Sequence, residues 1–418
     1  MDIPVRTRPW NFGAALSVDE IGQAERDYVL QVLDKRRVFR YTQDGIEDSE
    51  AARLEAIYRE RVGTSHCLAV NGGTSALICA LVAAGIGPGD EVIIPSYTYI
   101  ATASAVLQAG AVPVIVDIDD TLTIDPDALE AAITDHTAAV IPVHMRGVPC
   151  QMDELVKISR EHGLYIIEDV AQANGASYQG QPLGSIGDAG CFSFQQYKMI
   201  TAGEGGLVAT SDDRVFQRAS IYHDSAFAMW DSNKTDPAPV ETFPGQNYRM
   251  SEINAAVALA QSERLDALLR RLRRIKSRIV EALAEVTGID LQRVPDPAGD
   301  ASYCLTFFPG QGIDVRQFSS RLSWEGIGNA TIYNSGVPDR HIFANWDYVL
   351  AKRGVSATNN PWKSPHYSGT VEYPAGLCQK SLNLLGRAIQ INLHQDMSDQ
   401  DVADVIAAVT RTASQLTK

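Results

Sequence analysis

Phe192-Ser-Phe-Gln-Gln-Tyr-Lys198-Met-Ile-Thr-Ala-Gly-Glu-Gly-Gly206 sets one lysine between an apolar strand and a glycine-rich turn. Cys191, Phe192 and Phe194 read as strand, whereas Gly203-Glu-Gly-Gly206 holds no regular structure and calls for backbone angles that glycine tolerates. Lysine is rare among apolar neighbours, because burying its ammonium is costly unless it is paired or neutralised. Desolvation lowers its pKa, so a lysine placed here is a candidate Schiff-base amine. A surface lysine snorkelling beside a loop is the simpler account of this residue taken alone. Its companions in the chain have to decide.

Outward from this stretch, from about residue 48 to 262, short apolar β-branched runs alternate with amphipathic helices. Cys67-Leu-Ala-Val70 leads into a helix at 74–85, and Glu91-Val-Ile-Ile94 into another at about 99–109. Residues 112–116 and 138–143 are further apolar runs, the second followed by a helix at 151–163. Residues 164–168, 190–194 and 206–210 continue the series. This alternation predicts an α/β fold with a mostly parallel sheet covered on both faces. One long helix is expected from about 251 to 286, its run Arg270-Arg-Leu-Arg-Arg-Ile-Lys276 reading as a solvated face. Beyond it the pattern loosens: a strand near 302–308, a helix near 314–324, a loop-rich stretch at 330–380 and a last helix at 398–415. The expected organisation is an N-terminal segment, 1–47, packing on the small domain; a large α/β domain, 48–262; and a smaller C-terminal α+β domain, 263–418.

The composition limits the partners. The chain has 418 residues and a formal charge of −15, which argues against nucleic acid or an anionic membrane surface as a ligand. The six cysteines show no C-x-x-C spacing and sit mostly in apolar runs, as buried thiols do in a reducing cytoplasm. The N-terminus lacks a signal-peptide core, and no run approaches the roughly 18 apolar residues of a membrane span. A cytoplasmic protein is expected. No His/Cys cluster suggests a metal, and no G-x-G-x-x-G opens a helix.

Four further segments are expected at the C-terminal ends of strands, where open α/β sheets place ligands. Asn71-Gly-Gly-Thr-Ser-Ala76 runs from strand through a glycine turn into a helix. Its unpaired N–H groups and hydroxyls make either a phosphate cradle or an ordinary helix start. Pro95-Ser-Tyr-Thr-Tyr-Ile100 offers an aromatic that stacks on a planar ring or edges the core. Ile166-Ile-Glu-Asp169-Val-Ala-Gln172 ends an apolar strand on acids. One of them either faces a pyridine nitrogen and keeps it protonated, or caps a helix. Gly245-Gln-Asn-Tyr-Arg-Met-Ser-Glu252 opens the long helix: Ser251 reads as its cap, while Asn247 and Arg249 are placed to reach an anionic ligand, including across a subunit boundary. With Ser193 and Lys198 these segments supply the contacts that pyridoxal 5′-phosphate requires: an amine, an acid for the ring nitrogen, a stacking aromatic and a phosphate cup.

The chain resembles the DegT/StrS-type sugar aminotransferases, pyridoxal-phosphate enzymes of fold type I, over nearly its whole length. The resemblance is strongest in 71–77, 95–99, 168–173, 192–206 and 247–252, and the 29-residue spacing from Asp169 to Lys198 fits it. It implies that Lys198 forms the Schiff base and Asp169 pairs with the ring nitrogen. It implies Tyr99 against the ring and Gln172 on its other side. Gly73, Thr74, Ser75 and Ser193 would bind the phosphate, joined by Asn247 from the neighbouring subunit of a homodimer. The implied reaction moves an amino group from glutamine or glutamate to a keto-sugar or cyclitol ketone, in amino-sugar, aminocyclitol or antibiotic biosynthesis. Gln195-Gln196, where many members carry His-Pro, resembles the branch that handles cyclitol ketones and aminohydroxybenzoate precursors. Retention of lysine disfavours the branch that has histidine there and dehydrates. Another pyridoxal-phosphate reaction on the same scaffold, a dehydratase, lyase or aminohydroxybenzoate-synthase type, is the alternative. The stretches 225–244 and 333–365 match no assignable pattern.

Overall fold

The computed structural model describes residues 3–13, 16–41, 48–225, 240–334 and 337–417. Twelve strands follow in chain order. They are β1 (His66–Val70), β2 (Glu91–Pro95), β3 (Val112–Val116), β4 (Thr137–Val140), β5 (Tyr165–Asp169), β6 (Ser177–Tyr178) and β7 (Gln181–Pro182). After these come β8 (Ala189–Ser193), β9 (Gly206–Thr210), β10 (Ile289–Leu291), β11 (Cys304–Pro309) and β12 (Ile389–Asn392). Seven form one sheet in the order β1-β9-β8-β5-β4-β2-β3, with β6 and β7 as a separate hairpin. Among these seven, β9 alone runs antiparallel to its neighbours; the pairs β2–β3, β2–β4, β4–β5 and β5–β8 are parallel. The C-terminal ends of β1, β2, β4, β5 and β8 therefore share one edge of the sheet.

Two hydrophobic clusters cover the two faces, which is why these strands read as unbroken apolar runs. The helices Gly73–Ala83, Ala101–Ala109 and Asp213–His223 bury residues in one cluster, and Glu50–Val62, Met152–Glu161 and Glu252–Ser262 in the other. A third cluster lies around the sheet β10-β11-β12 and the final helix Asp399–Leu416. Near the N-terminus, Arg6 pairs with Asp401 (2.5 Å) and Asp404 (3.1 Å), while Trp10 and Phe12 pack on this third cluster. The helix Gln23–Lys35 instead packs against Glu252–Ser262.

The helix expected at 251–286 is two helices, Glu252–Ser262 and Leu265–Leu283. The side chains at the break are committed elsewhere. Gln261 Nε2 donates to Glu25 Oε1 (2.9 Å) and Arg264 forms an ion pair with the same carboxylate. The loop-rich stretch beyond 330 is not loosely attached either. Ile342, Phe343, Trp346 and Val349 bury into a cluster of the large sheet. The Thr98 and Ile100 amides donate to the carbonyls of His341 and Arg340, and the Phe343 amide to that of Ser96. This pairing fixes residues 340–343 beside the C-terminal end of β2. Among the described residues no helix is long and apolar enough to cross a membrane. All six cysteines are free and buried.

Candidate active site

A cavity of about 610 Å³ opens at the shared C-terminal edge of the strands. Gly73, Thr74, Tyr99, Asp169, Gln172, Ser193 and Lys198 all line it. Two expected residues do not. The Ser75 hydroxyl turns away and donates to Asn71 Oδ1 (2.6 Å), and Asn247 is exposed outside this cavity. Arg249 is engaged in an ion pair with Asp224. Of the Gln195-Gln196 pair, Gln195 lines the cavity, while Gln196 is exposed. Most of 225–244 falls outside the described residues, namely 226–239.

The turn after β1 is built by close approach. A Cβ on Gly73 would lie 2.7 Å from Ser193 Cβ, and one on Gly206 would lie 2.5 Å from the Gly72 carbonyl oxygen. Gly206 pairs across the ladder with both Val70 and Ser193, so β9 draws the ends of β1 and β8 together. The first-turn amides of the helix Gly73–Ala83 have no intrahelical acceptor, and Gly72 at the N-cap offers no side chain to occupy them. The result is a recess lined by amides and by the Thr74 and Ser193 hydroxyls at a positive helix end, suited to an anion.

Asp169 ends β5 and is buried, yet its carboxylate is held. Thr102 Oγ1 donates to Oδ2 (3.0 Å) and the Ala171 amide to Oδ1 (3.1 Å). Thr98 Oγ1 in turn lies 2.7 Å from Thr102 Oγ1. Burial raises the Asp169 carboxyl above the usual carboxylate range, against the Ala171 amide, the Lys198 charge and Thr102. The other acid of that strand, Glu168, is spent on structure. It accepts the Ile186 and Gly187 amides (2.7 Å each), the Gly184 amide (2.9 Å) and His144 Nε2 (3.1 Å). The two acids thus point to opposite faces, as successive strand residues do.

No hydrogen bond or ion pair among the described residues holds the Lys198 side-chain amine. Burial lowers its pKa below the ordinary lysine value, and the Arg146 charge adds to this against the pull of Asp169. The sequence reading missed the residues that other parts of the chain bring in. Arg146 follows β4, Tyr303 comes from the stretch before β11, and His341 arrives through the pairing of 340–343 with 96–100. Gln172 Oε1 accepts the Tyr303 hydroxyl (3.1 Å) and the Arg146 amide (3.3 Å). Tyr99 stands beside His341 with ring centres 5.2 Å apart.

The chain is similar to known aminotransferases. Residues 20–359 match the model of the DegT/DnrJ/EryC1/StrS aminotransferase family. The chain belongs to that family, and it is a pyridoxal 5′-phosphate-dependent aminotransferase of fold type I. GDP-perosamine synthase of Caulobacter vibrioides is 42% identical over 276 residues, covering 63% of this chain and 71% of that protein. Spore coat polysaccharide biosynthesis protein SpsC of Bacillus subtilis is 34% identical over 366 residues, 85% of this chain and 88% of that one. The X-ray structure of an aminotransferase from Psychrobacter cryohalolentis superposes with a TM-score of 0.78 at 26% identity, over 98% of this chain and 100% of that chain.

The cavity fits the cofactor on its own terms. An anion recess, a buried acid and an amine of lowered basicity share one space, and the recess exists only because residue 73 has no side chain. Gly73→Ala is therefore expected to weaken cofactor affinity at least about tenfold, since each hydrogen bond to a charged group is worth about 1.5–3 kcal/mol. Titration of the apo-protein with pyridoxal phosphate, with circular dichroism to check folding, measures this. A folded variant with unchanged affinity would remove the recess from the site.

Proposed function

We propose that this enzyme transfers an amino group from glutamate or glutamine to the ketone of a sugar or cyclitol, as a cytoplasmic homodimer serving amino-sugar biosynthesis. The observation that carries the reading is the cavity shared by Lys198 and Asp169 beside the amide-lined turn at Gly73. The 42% identity with a protein named GDP-perosamine synthase supports a nucleotide-linked keto-sugar as the acceptor. The buried, free cysteines are in keeping with a reducing compartment.

In this reading the chain is divided into a cofactor-binding part, 48–262, and a smaller part, 263–418, the latter holding every buried residue of the third hydrophobic cluster, from Ile275 onward. Lys198 Nζ would hold the cofactor's aldehyde, and the recess formed by the Gly73, Thr74 and Ser75 amides with the Thr74 and Ser193 hydroxyls would hold its phosphate. Ser75 contributes through its main chain, because its hydroxyl is bound to Asn71. Asp169 pairs with the ring nitrogen, with Thr102 fixing the carboxylate. Tyr99 would lie against one side of the ring and Gln172 against the other. Asn247, outside this chain's own cavity, reaches the phosphate of the partner subunit.

Pyridoxal phosphate supplies an aldehyde that bonds the donor's nitrogen and a protonated ring that takes up electron density from the bond being broken. Lys198 Nζ, released when the donor's nitrogen takes its place on the aldehyde, would accept the proton from the donor's α-carbon, and its lowered pKa favours the unprotonated form that this step needs. In the second half of the reaction Lys198 Nζ gives a proton to the carbon that was the acceptor's ketone. Asp169 keeps the ring nitrogen protonated throughout. Incubation with GDP-perosamine and 2-oxoglutarate should release glutamate in equal amount to the amine lost. Consumption of an amino sugar without glutamate formation would favour a lyase or dehydratase reaction instead.

A further inference from the structure

Arg146 stands in the cavity with no ion-pair partner among the described residues. It follows β4 in the short turn Met145–Gly147, with a left-handed backbone at φ 55° and ψ 25°. Arginine rarely adopts that conformation, and here it is pinned from two sides. Its amide donates to Gln172 Oε1 (3.3 Å). The following Gly147 packs so tightly that a Cβ there would meet Ala301 Cβ at 2.8 Å and Tyr303 Cε1 at 3.0 Å. The backbone is thus held in a costly shape that aims this side chain into the cavity.

The guanidinium forms no ion pair among the described residues. Its one hydrogen bond there is long, from Nε to Tyr97 Oη at 3.5 Å, leaving both terminal nitrogens without an acceptor from the chain. A half-buried cation with its fork undirected is costly unless an anion completes it. A guanidinium fork matches a carboxylate in two parallel hydrogen bonds.

The position of Arg146 separates the possible anions. Sheet order places β4 and β8 on either side of β5, so the turn carrying Arg146 and the Ser193 end of the phosphate recess lie on opposite flanks of Asp169. Two strand spacings amount to roughly 10 Å, which removes Arg146 from the recess. It is nevertheless near enough to Lys198 for its charge to bear on that amine. An α-amino acid donor carries a carboxylate on the carbon whose proton Lys198 removes. A keto-sugar or cyclitol presents hydroxyls around its reacting carbon.

We propose that Arg146 is the donor-recognition residue of this enzyme, binding the α-carboxylate of the incoming amino acid through its terminal nitrogens and so setting the α-carbon beside Lys198. This rests on the aminotransferase reading given above. The same guanidinium is free again when the keto acid leaves, so it acts in one half of the reaction and not in the other.

The test uses the holoenzyme with Arg146→Met and Arg146→Lys. α-Methylglutamate has no α-proton to lose, so its titration by calorimetry reports donor binding without turnover. Arg146→Met should weaken it by about 10- to 100-fold, the worth of one charged, two-pronged contact. 4-Aminobutyrate, which lacks the α-carboxylate, should bind wild type and variant alike. The reverse half-reaction, with GDP-perosamine as amine, should keep its half-saturation, its rate changing only as far as loss of the Arg146 charge raises the Lys198 pKa. Arg146→Lys keeps the charge without the fork and should show a smaller, equally selective loss; if Arg146→Met does not fold, this comparison stands in its place. Equal weakening of α-methylglutamate and 4-aminobutyrate would overturn the proposal, because it would mean a merely structural role. An effect confined to the GDP-perosamine side would overturn it too, making the diphosphate of the other substrate the anion that Arg146 holds. Failure of the wild type to change its visible absorbance with either glutamate or glutamine would instead sink the functional reading itself.

Discussion

Lys198→Ala should abolish the visible absorbance of the bound cofactor's bond to the protein and lower turnover by at least about 10⁴-fold, the upper range for loss of a positioned proton-transfer group. One side chain carries both effects in the proposed reaction, in which Lys198 would hold the aldehyde and then move the α-proton. Its surroundings prepare it for both. It sits in the cavity with no partner among the described residues, and burial with the nearby Arg146 charge lowers its pKa. The substitution shortens a side chain at a half-buried position, so the fold should survive. Spectra and turnover of the purified variant, beside its circular dichroism, check this together. A folded Lys198→Ala enzyme with normal turnover would end the account.

The second large effect is expected at Asp169. Asp169→Asn keeps the shape and can take the Ala171 amide on Oδ1 while its Nδ2 donates to Thr102 Oγ1, but it loses the charge proposed to keep the ring nitrogen protonated. Charge stabilisation of this kind is worth about 10²–10³ in rate. A pH signature goes with it. Burial raises the Asp169 carboxyl above the ordinary value, so it becomes neutral at a higher pH than an exposed aspartate would. Cofactor affinity of the wild type should therefore weaken as pH falls through that raised pKa. The asparagine variant, neutral at every pH, should bind more weakly above it and lose this dependence. An asparagine variant with wild-type rate and an unchanged affinity profile would show that Asp169 does not face the ring.

The features legible in the sequence were those carried by contiguous residues. Strands buried on both faces appear as unbroken apolar runs, and the ladder confirms β1, β2, β3, β4, β5, β8 and β9 close to where the runs lie. Gly73 next to Thr74, and Asp169 at the end of its strand, could be placed because a strand, a turn and a helix start determine where they point. What the sequence hid was brought in from a distance. Nothing local in Asp339-Arg340-His341 predicts that its backbone pairs with residues 96–100 and carries His341 to the cavity. Tyr303 likewise arrives only when β11 and its approach settle beside the large sheet. At the break near Glu263–Arg264, Gln261 and Arg264 both meet Glu25, more than 200 residues away. Arg146 was the exception: an arginine in the run from 138 to 150, where His144 is the one other polar side chain, is as anomalous as Lys198 and could have been singled out on the same grounds.

The most direct measurement is to reduce the holoenzyme with borohydride, digest it and locate the cofactor's mass by peptide sequencing in the mass spectrometer. The account predicts one modified peptide, with the pyridoxyl group on Lys198. A label on any other lysine, or a fully loaded and active enzyme that reduction leaves unlabelled at Lys198, would contradict it.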